Sequence, residues 1–505
     1  MNIVWFKRDL RLSDHQPLLQ AIQSGPTVLL YILEPTLWQQ PDMSYRHYLF
    51  LTQCLTDLIA DANHHHGSLI IRVGNAEAIL EQLRVHYGTV TLFSHEETWN
   101  DWTYRRDQAI RRWANVNHIN WNEYQPNGVI RRLSNRDGWS RLWATHMAAD
   151  CGPMPSLAHT VTIDSDPLPT ADTLGLSAHP GLLVDQLPVG GRIAALATLE
   201  TFLTTRGLHY SKHMSSPLTA WTSCSRLSPY IAFGTLSIRE IMHALNRHLT
   251  ELSQGPRGNQ TQWRRSLRAF AGRLRWHCHF IQKMEDEPSI EYEPMHSAYR
   301  SIRTTSNDAK LTAWKTGHTG YPMVDACMRA CIATGWLNFR MRAMLASFAS
   351  YHLWLPWQET APYLAQLFID YEPGIHYSQF QMQSGTTGIN TIRMYNPIKQ
   401  GHDHDPDGEF VRRWVPELSH LSTDAIHTPW MSPECPSSYP QPIVNESEAR
   451  RQAASILYSL RSQSDHRSES DAIVTKHGSR KSRSNQSKSK RTTRSKQSNQ
   501  MELPL

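Results

Sequence analysis

The hydrophobic periodicity of this chain changes once, and that change limits what it can fold into. Between residues 1 and 147 five short apolar runs recur: Ile3–Phe6, Val28–Leu33, Leu69–Val73, Val90–Ser94 and Ile119–Tyr124. They read as strands buried in a parallel sheet. Tyr45–Ala62 and Ala76–Tyr87, between them, carry apolar residues at helical spacing. Strands alternating with helices predict an α/β, doubly wound N-terminal domain. No G-x-G-x-x-G follows the first strand, so a standard dinucleotide fingerprint is absent. From Gly190-Gly191 to about Leu460 the strand signal disappears and amphipathic helices dominate, such as Ala194–Leu203, Ile238–Leu252 and Thr261–Lys283. The expected organisation is therefore an α/β domain over 1–147, a connector over 148–190 marked by six prolines, and an all-α domain over 191–463. The Ser/Lys/Arg-rich stretch 464–505 reads as a disordered basic tail, because it offers too little apolar surface to bury.

At 505 residues the chain exceeds a single core. No apolar run approaches a membrane span, and Met1 leads straight into a strand, so neither a span nor a cleaved leader is expected. Seven cysteines without paired spacing fit a reducing compartment, and the protein reads as a cytoplasmic monomer. The net charge of +6 is mild, but nine cations and no acid lie between Lys476 and Lys496. That run suits a polyanionic partner.

Several motifs in the helical half carry polar chemistry. Ser223-Cys224-Ser225-Arg226-Leu227-Ser228-Pro229-Tyr230 puts hydroxyls and backbone amides at a helix start, which makes either an ordinary cap or an anion cradle. Thr319-Gly320-Tyr321-Pro322-Met323-Val324-Asp325 runs on to Arg329, and Gly335-Trp336-Leu337-Asn338-Phe339-Arg340-Met341-Arg342 then heads a second apolar helix predicted from Met341 to Trp354. Asp370-Tyr371-Glu372, followed by His376, spaces two acids after an apolar helix. His402-Asp403-His404-Asp405 invites a metal reading, but the adjoining Pro406 and Gly408 favour a structural loop, and no metal site is expected. Cys327 and Cys331 read as core packing, and His64–His66 as a solvent-facing helix end.

Together with Val4-Trp5-Phe6-Lys7-Arg8-Asp9 and His95-Glu96-Glu97-Thr98-Trp99, these motifs resemble the photolyase/cryptochrome family over residues 1 to about 460. The resemblance implies FAD in the helical domain, held by Tyr210, Ser225, Leu227, Ser228, His277, Arg342, Asp370, Glu372 and His376. Arg342 and Asp370 would form an ion pair beside the flavin ring. It also implies damaged DNA as partner and a second, antenna chromophore of folate or deazaflavin type in the first domain. Trp276, with Trp314 less strongly, would wall the pocket for a flipped lesion. Trp276, Arg273, His376 and Trp357 are the candidates for the chemistry.

The chain departs from the family pattern at four places. Cys224 stands where Thr is usual, and Arg273 replaces the lesion-contacting Glu three residues before Trp276. His376 takes the place of the Asn or Asp facing flavin N5. Phe380, with Met382 near it, replaces the flavin-proximal Trp of the electron chain, which breaks the usual triad there; Trp357 remains, and Tyr377 or Tyr395 could supply a different route. The expected activity is light-driven repair of pyrimidine dimers, cyclobutane type first, with a cryptochrome-like receptor as the alternative.

Overall fold

The computed structural model describes residues 1–254 and 258–478. Five strands, β1 (Asn2–Phe6), β2 (Thr27–Leu33), β3 (Leu69–Val73), β4 (Thr91–His95) and β5 (Asn120–Tyr124), form one sheet in the order β3-β2-β1-β4-β5. Every pairing is parallel, with Ile3 opposite Val28 and Leu92. Alternate side chains divide the sheet between two cores. Ile3, Trp5, Val28 and Leu30 pack under Ala76–Tyr87 and Asp101–Val116, while Val4, Phe6, Leu29 and Tyr31 face Gln16–Ser24 and Tyr45–His64. Asn75 and Asn100 start the first two of these helices by accepting from Ala78 and Thr103 amides.

The second core continues without a break into the helical half. There the long helix Gln260–Asp286 lies against Pro373–Ser384. The element expected from Met341 to Trp354 is an α-helix, Phe339–Ser347, that widens into a π-turn over Phe348–His352. The Leu353 amide there reaches the Phe348 carbonyl, five residues back. Residues 148–190 are strapped to their surroundings. Val161 donates to the Thr27 carbonyl, Asp166 accepts from the Val73 amide, and Leu183 donates to the Ala333 carbonyl.

The tail reading needs correction. Instead of disorder from Ser464 onward, His466–His477 forms a helix held by polar contacts. Tyr299 Oη lies 2.9 Å from His466 Nε2, Ser297 donates to Glu469, and His477 bonds Glu287 at 2.6 Å. The basic run after Gly478 lies outside the described residues. Among the described residues no helix is long and apolar enough to cross a membrane. His402 and His404 end a helix, and Asp405 accepts from the Phe410 and Val411 amides, which fixes the turn that follows.

The two halves lock where the loop after β1 meets Phe233-Gly234. Arg11 donates to the Gly234 and Asp14 carbonyls, and Asp14 accepts from Arg239 at 2.6 Å and from Ser237. Gly234 has φ +70°, and a Cβ there would stand 2.1 Å from the Arg8 carbonyl oxygen. Left-handed backbone alone costs a non-glycine residue about 1–2 kcal/mol. Gly234→Ala is expected to lower stability by at least about 2 kcal/mol, because the clash adds to that strain. A denaturant midpoint equal to that of the unmodified protein would contradict this packing.

Candidate functional site

Residues far apart in sequence converge beneath the short helix Ser228–Ala232. Arg342, on the first turn of Phe339–Ser347, pairs with Asp370 through two parallel bonds of 2.8 and 2.9 Å. Its Nε donates to the Leu337 carbonyl, and its guanidinium lies over Phe368 at 4.1 Å. Burial drives the Asp370 carboxyl upward, but the Arg342 charge and bonds from Arg342 and Ser228 outweigh it and hold Asp370 below its ordinary range. It is therefore an anion at neutral pH. The structure thus brings together Ser228, Arg342 and Asp370.

The remaining residues surround this pair. Tyr210 is buried against Phe202 and Phe270, with its hydroxyl bonded to Arg273. Ser225 caps the turn by accepting from the buried Leu227, and the Cys224 and Ser225 carbonyls accept from Arg206. Arg226, at φ +61°, is sandwiched between Trp221 at 4.1 Å and Trp336 at 3.9 Å. Sequence reasoning quoted this residue without assigning it a part. It did the same with Asn338, which donates to the Met214 and Ser215 carbonyls. Its place directly after the Trp336-Leu337 pair was the available signal.

His376 has a defined tautomer. Its Nε2 sits 2.9 Å from the Ala361 carbonyl, which can only accept, so Nε2 carries the hydrogen. Burial lowers the ring to about 4 despite that bond, so it is neutral and its Nδ1 offers a lone pair. Phe380, Tyr371 and Tyr377 surround it at 5.2–5.6 Å.

Trp276 is partly exposed, stacked on Phe280 at 5.5 Å and edge-on to His279 at 4.8 Å. Arg273 lies one helical turn away, with Nη2 3.9 Å from the Met214 sulfur. Trp314 is fully buried against Tyr363, a core position rather than a pocket wall. Trp357 is buried edge-on to Tyr377 at 6.3 Å. Asp325 and Arg329, prominent in the sequence, serve as braces. Asp325 accepts from Thr319, Gly320 and Tyr439, and Arg329 pairs with Glu417 at 2.8 Å. Cys327 and Cys331 are buried and free.

Whether these residues fit a flavin is tested by polar atoms that the protein leaves unsatisfied. Glu372 Oε1, His277 Nδ1, Arg226 Nη1 and Asn338 Oδ1 are buried without partners. Buried polar groups are normally bonded, so these atoms are open to a polar ligand. His277 and Glu372 line one cavity between the domains, together with Arg8, Arg11, His95 and Trp99. A ring-bearing, hydrogen-bonding group such as FAD fits that donor and acceptor set.

Glu372 titrates near neutrality. Burial raises it from 4.5 to about 7, only partly offset by the Arg8 charge. A raised carboxyl gives its stability below the unfolded value and loses it as pH rises through the folded one. The flavin-free protein should therefore lose up to roughly 3 kcal/mol through this group between pH 4.5 and 7. Glu372→Gln should remove that share. Parallel melting curves of the two proteins across this range would disprove the assignment.

Residues 270–459 match the profile of the FAD binding domain of DNA photolyase, and residues 2–131 that of DNA photolyase. A deoxyribodipyrimidine photo-lyase of Streptomyces griseus is 29% identical over 470 residues, spanning 89% of this chain and 97% of its own. Cryptochrome-1 of Arabidopsis thaliana is 27% identical over 482 residues, spanning 89% of this chain and 69% of its own. A bacterial class III photolyase from Agrobacterium tumefaciens superposes with TM-score 0.76 at 24% identity, covering 92% of this chain and 98% of that one. A photolyase from Sulfolobus tokodaii, solved with two FAD molecules, gives 0.74 at 25%, covering 91% and 100%. With both profiles matched in chain order on the parallel-sheet domain and the helical domain, the chain belongs to the photolyase/cryptochrome family.

Proposed function

We propose that the protein is a light-driven DNA photolyase that repairs pyrimidine dimers, most favourably the cyclobutane type, with damaged DNA as its partner. The observation that carries this reading is the Arg342–Asp370 pair with Ser228 on it, its charge felt at His277, whose Nδ1 is unsatisfied and which follows the partly exposed Trp276. Bound, reduced FAD supplies a photoexcitable one-electron donor. The chain's own residues hold and orient it. Arg342 and Asp370 present a fixed charge pair, Glu372 and His277 offer acceptors and donors, and neutral His376 presents a bare Nδ1 where a side-chain amide is usual. Trp276, backed by Phe280 and His279, gives a flat wall for an extruded base. Arg273, one turn away, places a cation where negative charge develops on the dimer. An antenna of folate or deazaflavin type would sit at the carboxyl ends of β1 and β2, where Tyr31, Trp38, Trp99 and Arg106 line a second cavity.

Arg273 in place of an acid also favours a second reading, a cryptochrome-like light receptor without repair. Illuminating the reduced protein with oligonucleotides carrying one defined lesion separates the two. Reversal of the dimer supports the photolyase, and neither preference for nor reversal of any lesion leaves the receptor.

Removing Arg342 strands the buried Asp370 charge at a cost of about 3–5 kcal/mol. Arg342→Ala and Asp370→Asn should therefore purify without flavin colour, and full flavin absorbance in both would overturn the pocket assignment. Trp276→Ala removes a stacking platform worth about 1–3 kcal/mol. Lesion affinity should fall by roughly ten- to a hundredfold while flavin is retained. Unaltered lesion affinity in a binding titration would place the lesion elsewhere.

A further inference from the structure

Tyr371 lies between the two acids of the candidate flavin site, and it meets the other domain. Its hydroxyl donates to Asp42 Oδ2 at 2.6 Å, across 329 residues of sequence. Both side chains are buried. Asp42 Oδ2 also accepts from Asn100 at 3.2 Å, while Oδ1 is buried without any partner, and no salt bridge reaches Asp42 among the described residues. A buried carboxylate with an idle oxygen and no cation is costly, and such a group calls for a functional reason. The Tyr371 ring is also a hub. It contacts His376 at 5.4 Å, Trp99 at 5.8 Å, His47 at 6.0 Å and Tyr377 at 6.5 Å, and Trp357 continues from Tyr377 at 6.3 Å.

Resting on the flavin reading above, we propose that Tyr371 and Asp42 form a proton-coupled electron donor to the photoexcited, oxidised flavin. One electron leaves the Tyr371 phenol for the flavin, which is reduced by one electron. The phenolic O–H bond breaks, and its proton moves along the 2.6 Å contact to Asp42. The products are a neutral tyrosyl radical and a protonated Asp42, so charge and atoms balance. An external thiol-class reductant then returns an electron to the phenoxyl oxygen, which recovers its proton from Asp42. The neighbours compete poorly for the proton. His47 Nε2 already faces the Phe368 carbonyl as a donor, and burial pushes Glu291 up to about 8, so it is protonated at neutral pH. This route goes around Phe380, whose ring is hard to oxidise.

The test is illumination of the oxidised holoprotein without DNA, read by transient absorption and electron paramagnetic resonance. A tyrosyl radical is expected, with slower formation in deuterium oxide. Tyr371→Phe should abolish the signal and slow flavin reduction at least tenfold. Asp42→Asn keeps an acceptor but removes the base, so it should slow reduction and erase the isotope effect. A flavin-loaded, unmodified protein that shows only a tryptophanyl radical, or no solvent isotope effect, overturns the proposal whatever the variants do. So does a tyrosyl signal that persists in Tyr371→Phe. Protein that binds no flavin would sink the functional reading as well, and flavin absorbance of the same sample tells the two failures apart.

Discussion

Buried guanidinium groups hold the two halves of this molecule in one register, and the site depends on them. Arg46, on a helix of the sheet domain, donates to the carbonyls of Cys331, Ile332 and Leu367 at 2.8–3.0 Å. Two of these carbonyls belong to the last turn of Pro322–Thr334, where a cation also meets the negative end of the helix dipole. A charge taken out of water stays costly unless every donor finds an acceptor. Arg46, held by three carbonyls, therefore tolerates little sliding between the domains. Arg8 completes the seam by lying over Trp99 at 4.1 Å and Phe233 at 4.9 Å, with its charge felt by Glu372. The acid that lines the candidate flavin cavity is thus tuned from the other domain.

The sheet was legible because its inner strands β1 and β2 are buried on both faces. Continuous apolar runs mark them, and the observed strands begin or end within one residue of those runs. Helix boundaries were legible where a cap stands, as at Asn75, and less so where the chain changes pitch. The stretch from Met341 reads as one apolar helix, but packing widens it to a π-turn at Phe348–His352. The helix His466–His477 was hidden for a different reason. Its docking rests on Tyr299–His466, Ser297–Glu469 and His477–Glu287 bonds, with Ile473 its only buried large aliphatic residue, so a reading by apolar content misses it.

At the site, local motifs told more than distance allowed. Ser228, Arg342 and Asp370 stand in recognisable surroundings, and the structure brings them into contact. Asp325 and Arg329 stand in a motif just as recognisable, yet they brace a turn and the loop bearing Glu417. A motif shows that residues act together and leaves open which of them face a ligand. Asp42 could not be read at all. It lies in an unremarkable loop, and only tertiary folding sets it against Tyr371.

The unusual residues of the chain make sense as a connected set. A phenylalanine at 380 sets a ring that is hard to oxidise against His376, at 5.6 Å. In the proposed route oxidation passes to a phenol, and a phenol gives up an electron readily only if its proton can leave. Tyr377 and Tyr371 both lie against His376, and burial raises both hydroxyls above their ordinary range. They differ in what receives the proton. Tyr377 finds the Tyr371 hydroxyl, whereas Tyr371 finds a carboxylate with a free oxygen. The neutral, Nε2-protonated His376 between them adds no positive charge that would oppose a departing electron's hole. A ring that is hard to oxidise and a buried tyrosine–carboxylate pair thus stand side by side in one aromatic cluster.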